Sequence, residues 1–324
     1  MSLLAALRKL FAGAPATPPA PMSPVPAPPT EVAPEPAAPE PRLRSVQCIG
    51  AHGFHRMAYT EWGDPHNPRV LVCVHGLTRC SRDFDFLAQA LAADYRVVCP
   101  DVVGRGRSDW LRDKSLYGIP QYCADMTNLL AKLDVESVDW VGTSMGGLIG
   151  MALACQPETP IARLVLNDVG PVITAVSLAR IGTYLGTAPR FDDIAQAEAF
   201  VRLVSATFGS FSDAQWRHLT VHVTRTAADG RIEFAYDPGI AQPFREMQAA
   251  GAGKDVEMWP LYDGVACPTL LLRGESSDLL THGTALQMAG RGPRAKLVEV
   301  PGVGHAPMLM SAEQVAPVRE FLLG

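Results

Sequence analysis

At 324 residues, 48% hydrophobic and 19% charged, the chain is long and apolar enough to bury a large core, which excludes a disordered or fibrous protein. A formal charge of −5 offers no basic surface to phosphate backbones, so no nucleic-acid partner is expected. Seven cysteines, an odd set without CxxC spacing and several of them inside apolar runs, read as reduced thiols of a cytoplasmic protein.

The chain opens on MSLLAALRKLFAGAPA, where the basic residues follow the leucines, the reverse of a secretory signal. Leu3, Leu4, Leu7, Leu10 and Phe11 would share one side of a short amphipathic helix over residues 1–13, suited to weak membrane contact through residues 1–11. Nowhere does an apolar run reach the ~20 residues of a spanning helix. Residues 14–41 hold twelve of the 28 prolines, mixed with alanine, a composition that fixes φ, removes donors and cannot bury a core. This segment is expected to be a disordered tether, with the folded body starting at residue 42.

Beyond it, VLVCVHG (70–76), YRVVCP (95–100), VDWVG (138–142), ARLVLND (162–168), PTLLLRG (268–274) and KLVEVPG (296–302) are nearly continuous apolar runs, as in strands buried on both faces. Helical spacing fills 82–93, 120–133, 145–156, 283–290 and 311–323. This alternation predicts an α/β fold with a mostly parallel sheet covered on both faces. The interval between ARLVLND and PTLLLRG is far longer than one crossover helix needs. Its helix-like stretches near 173–186, 192–208 and 212–224 predict a helical cap over residues 172–255, above the C-terminal edge of the sheet, leaving 42–171 and 256–324 as the core.

The sharpest local signal is Gly142-Thr143-Ser144-Met145-Gly146, between a strand and a helix. A nucleophile elbow strains the serine backbone, needs small flanking residues and lifts the hydroxyl clear of the sheet at a helix N-terminus. A base for that hydroxyl is available in Gly302-Val303-Gly304-His305, a glycine-rich loop after a strand. The other histidines lie near the start of the core, in the cap (His218 and His222), or at a helix start (His282). No HExxH, paired Cys/His spacing or GxGxxG opening a helix is present, so neither a metal nor an organic cofactor is expected.

Taken together, HGLT at 75–78, PDVVGRGRSDW at 100–110, GTSMGG, a late aspartate and GVGHAP resemble the α/β-hydrolase superfamily over roughly residues 42–324. The resemblance implies an eight-stranded, mostly parallel sheet and a triad in the chain order nucleophile, acid, base: Ser144, Asp278 and His305. Asp278 follows PTLLLRG, where the superfamily carries its acid; Glu275 nearby and Asp168, where some relatives place it, stay open. The resemblance also implies an oxyanion hole from the backbone N–H groups of Leu77 and Met145, and makes His75 structural; the Gly104–Ser108 turn, despite its two arginines, lacks a following helix with phosphate-loop spacing and reads as structural too. Serine at position 144 implies acyl transfer, whereas the dehalogenases and epoxide hydrolases of this superfamily carry aspartate there. The implied activity is that of a carboxylesterase on a small or oligomeric ester, similar to bacterial esterases of which some act on polyesters. Lactonase, thioesterase, carbon–carbon hydrolase and non-catalytic binding protein are the alternatives. Trp216, Phe208 and Tyr184 are candidates to line an acyl pocket, unless they are core. Arg79 and Arg82 are candidates for a substrate carboxylate, unless paired with Asp83 or Asp85.

Overall fold

A computed structural model describes residues 40–251 and 253–324; the expected helix over 1–13 and the tether, apart from Glu40 and Pro41, lie outside the described residues. The chain begins with the hairpin β1 (Arg42–Gly50) and β2 (Gly53–Trp62), then β3 (Val70–Val74), α1 (Asp85–Leu91), β4 (Arg96–Pro100) and α2 (Ile119–Leu133). It continues through β5 (Val138–Thr143), α3 (Met145–Ala154) and β6 (Ile161–Asn167). An insertion follows: β7 (Val172–Ile173), α4 (Ala175–Tyr184), β8 (Arg190–Phe191), α5 (Ile194–Val204), α6 (Asp213–Val223), β9 (Thr224–Thr226), β10 (Ile232–Phe234), α7 (Ala241–Gly251), β11 (Val256–Glu257) and α8 (Trp259–Asp263). β12 (Thr269–Gly274), α9 (His282–Gly290), β13 (Lys296–Val300) and α10 (Ala312–Leu323) complete it.

Eight strands form one sheet in the order β1-β2-β4-β3-β5-β6-β12-β13. β2 pairs antiparallel with both of its neighbours, and every pairing from β4 to β13 is parallel. Successive side chains of the buried strands alternate between two cores. Val138 and Trp140 pack with Met126 and Ile149 from α2 and α3 on one face, while Val141 joins Leu87, Leu91, Val318 and Leu322 from α1 and α10 on the other. β1 and β2 are not among the strands expected from the sequence. Long stretches of β1 are exposed and polar, so this edge carries no continuous apolar run.

The inserted segment carries the three expected helices and, besides them, short strands that the sequence does not announce. β8, β10 and β9 form a three-stranded antiparallel sheet and β7 pairs with β11. Strands of two or three residues are too short to display a period of two beside helices with strong 3.6-residue spacing. Hydrogen bonds stitch the insertion to the core: Gly106 N–H donates to the Ala235 carbonyl at 2.7 Å, Asp237 N–H to that of Gly104 at 2.8 Å, and Gly304 N–H to that of Thr207 at 2.6 Å. All seven cysteines are free thiols. Among the described residues no helix is long and apolar enough to cross a membrane.

The turn from β5 into α3 depends on close backbone approach. A Cβ on Gly146 would overlap the Val74 carbonyl, and one on Gly142 would overlap the Gly146 backbone. We expect Gly146→Ala to cost about 1–3 kcal/mol of stability through this overpacking. It would be measured as a lower urea midpoint at unchanged m-value. A variant as stable as the wild type would contradict the tight approach.

Candidate active site

Ser144 ends β5 and opens α3 with φ 51° and ψ −115°, a strained conformation for a residue with a Cβ. The strain is held from outside: Ser144 N–H donates to the Asn167 carbonyl at 3.0 Å, and the Asn167 amide donates to Thr143 Oγ1 at 2.9 Å and to the Pro307 carbonyl at 2.8 Å. Asn167, the last residue of β6, thereby joins the elbow to the loop that carries His305. That loop is fixed in turn by Ser276 N–H, which donates to the Val303 carbonyl at 2.9 Å.

His305 Nε2 lies 3.0 Å from Ser144 Oγ, and its Nδ1 lies 2.7 Å from Asp168 Oδ2. With the proton on Nδ1 donated to the carboxylate, Nε2 is left to accept from the serine hydroxyl. Asp168 is fully buried just beyond β6, with φ 57°. Its oxygens also accept from Gly274 N–H at 2.8 Å and from Ser277 Oγ at 2.6 Å. The set can take a proton from Ser144, pass it to a leaving group and stabilise the imidazolium in between.

The expectation that Asp278 orients His305 is corrected. Asp278 is turned outward, 45% exposed, and accepts from Arg180 of α4 through Nε at 2.6 Å and Nη2 at 3.0 Å. Its neighbour Ser277 turns inward instead and donates to Asp168. Glu275 is also engaged elsewhere, accepting from Gly302 N–H at 2.8 Å. Asp168 was open as an alternative acid in the sequence, whereas Arg180 carried no signal there. The Arg180–Asp278 pair spans 98 residues and leaves no local signal, whereas Asp168 is marked by its place at the end of the buried run ARLVLND.

Ser144 and His305 open into a cavity of about 460 Å³ whose wall includes Leu77 and Met145. Among the described residues Leu77 N–H has no acceptor, and Met145 N–H belongs to the first turn of α3, where helix amides lack partners. His75 is fixed as a neutral imidazole: Nδ1 donates to the Gly76 carbonyl at 2.7 Å, Nε2 accepts from Val102 N–H at 3.0 Å, and burial pushes its pKa down to about 3.

The proposed pocket residues divide. Phe208 and Tyr184 line the cavity. Trp216 does not: it is core, packed with Cys80, Val201 and Met308, so aromatic spacing on α6 marks burial and not a substrate contact. Arg79 lines the cavity, yet its guanidinium is spent on Asp83, with bonds of 2.7 and 2.6 Å. Arg82 pairs with Asp85 and Glu40.

Two groups of side chains have the composition of metal ligands, Cys48–His55–Asp125 and Asp85–His218–His222. In the first, His55 Nε2 is already 3.0 Å from both Asp125 oxygens. In the second, Arg82 donates to Asp85 at 2.6 Å, and burial together with the nearby Arg82 and Arg107 charges lowers His222 to about 3, a field that opposes a cation. Neither group lines the cavity.

A profile of the alpha/beta hydrolase family matches residues 71–318. The chain is 50% identical over 289 residues to a 3-hydroxybutyrate-oligomer hydrolase of Cupriavidus necator, covering 87% of this chain and 98% of that one. A crystal structure of an alpha/beta hydrolase from Novosphingobium aromaticivorans is 39% identical with a TM-score of 0.77, covering 88% of this chain and 98% of that one. A 2-(acetamidomethylene)succinate hydrolase of Mesorhizobium japonicum is 24% identical over 242 residues, covering 73% of this chain and 81% of that one.

The two aspartates make a direct comparison. With p-nitrophenyl butyrate as substrate, Asp168→Asn should lose about 10³- to 10⁴-fold in kcat, because the amide can donate to Nδ1 and favour the wrong tautomer. Asp278→Asn should stay within about 5-fold of wild type, as expected for an exposed ion pair worth at most about 1 kcal/mol. The reverse ranking would return the acid to position 278.

Proposed function

The chain belongs to the alpha/beta hydrolase family and is an ester hydrolase, and from that premise we propose that Ser144, His305 and Asp168 carry the reaction on short oligomers of a 3-hydroxyalkanoate type. The observation that carries the proposal is the continuous relay from Ser144 Oγ through His305 to buried Asp168, opening into an apolar cavity. His305 Nε2 takes the hydroxyl proton as Oγ attacks the ester carbonyl. Negative charge then develops on the carbonyl oxygen, and Leu77 and Met145 N–H are the donors available to it. The imidazolium, held by Asp168, returns the proton to the departing alcohol oxygen. Water repeats the sequence on the acyl-enzyme and releases the acid.

Two features support an oligomeric ester. The relative from Cupriavidus necator named for that substrate aligns over almost its whole length. The cavity walls, including Leu148, Ile173, Leu178, Phe208 and Phe244, suit small alkyl branches. Seven unpaired thiols fit a reducing compartment, and a cytoplasmic location is part of the proposal.

Linear 3-hydroxybutyrate dimer and trimer should be cleaved to monomer by the wild type, followed by chromatography of the released acid. Ser144→Ala should lose at least about 10³-fold in kcat, since triad members act as a unit. Cleavage of p-nitrophenyl esters with no release from either oligomer would overturn the substrate assignment.

A further inference from the structure

Next to the two proposed backbone donors lies a cation that no carboxylate among the described residues pairs. Arg105 stands between Gly104 and Gly106 in the turn after β4 and is fully buried. Its Nε donates to the Leu77 carbonyl at 2.8 Å, and its Nη1 donates to the Val103 carbonyl at 2.8 Å and to Tyr122 Oη at 2.9 Å. Nη2 lies 3.6 Å from Met145 Sδ. The guanidinium carbon is 5.0 Å from the Tyr122 ring centroid and 5.7 Å from that of Tyr117. Carbonyls, a phenol, a thioether and two aromatic rings therefore surround it, and among the described residues no carboxylate pairs with it. Asp237, which accepts from Tyr117 Oη at 2.7 Å, forms its ion pair with Lys114.

Arginine does not shed its proton in a protein, so this charge is permanent. A buried cation without an ion pair is costly, and packing alone would be served as well by a neutral side chain of similar length. Arg105 touches both residues whose N–H groups are the proposed oxyanion donors. We propose that Arg105 is a positioning residue for the ester hydrolysis described above: it fixes the Leu77 donor and sets positive potential beside the developing oxyanion.

The proposal rests on the serine-hydrolase reading of the site. In a low-dielectric interior a fixed charge acts strongly on a charge that appears only in the tetrahedral state, and hardly at all on a neutral ester. The effect therefore belongs to kcat and not to KM. The same turn also pairs with the insertion, through the Arg105–Tyr236 bridge and the bond from Gly106 N–H to Ala235. Placement of the insertion and support of the donor loop thus pass through one residue.

Three substitutions separate charge from shape: Arg105→Lys keeps the charge, Arg105→Gln keeps a donor for the Leu77 carbonyl without charge, and Arg105→Met keeps neither. With p-nitrophenyl butyrate, Arg105→Gln should lose about 10-fold or more in kcat, less than or equal to the loss of a direct oxyanion donor, with KM within about 3-fold. Arg105→Lys should recover most of that loss. Inhibition by phenylboronic acid, which forms a tetrahedral anion on the serine, should weaken in parallel with kcat. Wild-type kcat in Arg105→Gln, or a lysine variant no better than glutamine, would overturn the role of the charge. If the methionine variant fails to fold, the lysine and glutamine variants still decide. A wild type inert toward all esters and unlabelled by a fluorophosphonate would instead overturn the underlying reading together with this one.

Discussion

Hydrogen bonds from three places in the chain converge on the buried carboxylate of Asp168: from Gly274 at the end of β12, from Ser277 in the loop beyond, and from His305 after β13. A buried carboxylate is tolerated only when its oxygens are satisfied, and bonds to a charged acceptor contribute about 1.5–3 kcal/mol each. The same residue turns the chain off β6 with a positive φ, and its own N–H donates to the Leu272 carbonyl at 2.8 Å. Aspartate accepts that left-handed geometry more readily than most side chains. The departure of the chain into the insertion and the orientation of the imidazole are therefore set at one point, so disturbing it would disorder several loops at once.

Around that point the site is arranged by charge. His75 is held neutral by burial, Arg105 donates to the Leu77 carbonyl, and the Arg79–Asp83 pair closes on itself at the cavity wall. The remaining wall is largely aliphatic and aromatic. An apolar enclosure weakens solvent screening, and in the proposed mechanism this strengthens the action of two amide dipoles and one guanidinium on a transient oxyanion. The bond from Gly304 to Thr207 and the bridge from Arg105 to Tyr236 attach the insertion to the base loop and to the donor loop alike.

How much of this could be read from the sequence follows from where each feature is encoded. Ser144 and His305 stand out because backbone rules mark them: a strained serine needs Gly142 and Gly146 beside it, and a reaching histidine sits in a glycine-rich loop after a strand. The buried parallel strands were equally plain, since both faces of each are apolar. The acid was not plain. Asp168 and Asp278 both follow apolar strands, and the choice between them is made by Arg180 and Ser277, contacts that form only in the folded chain. The same holds for Trp216, whose burial against Met308 depends on how α6 meets the core. The edge hairpin and the short strands of the insertion escaped because half-exposed or very short strands carry little periodicity.

The reading of the site turns on where the imidazole rests once the serine has reacted. A crystal structure of the protein phosphonylated at Ser144 tests it most directly, because the phosphonyl group mimics the tetrahedral state. His305 Nδ1 should still be bonded to Asp168, with the phosphonyl oxygen within about 2.7–3.1 Å of Leu77 and Met145 N–H. An imidazole swung onto Asp278, or an oxygen facing away from both amides, would contradict it.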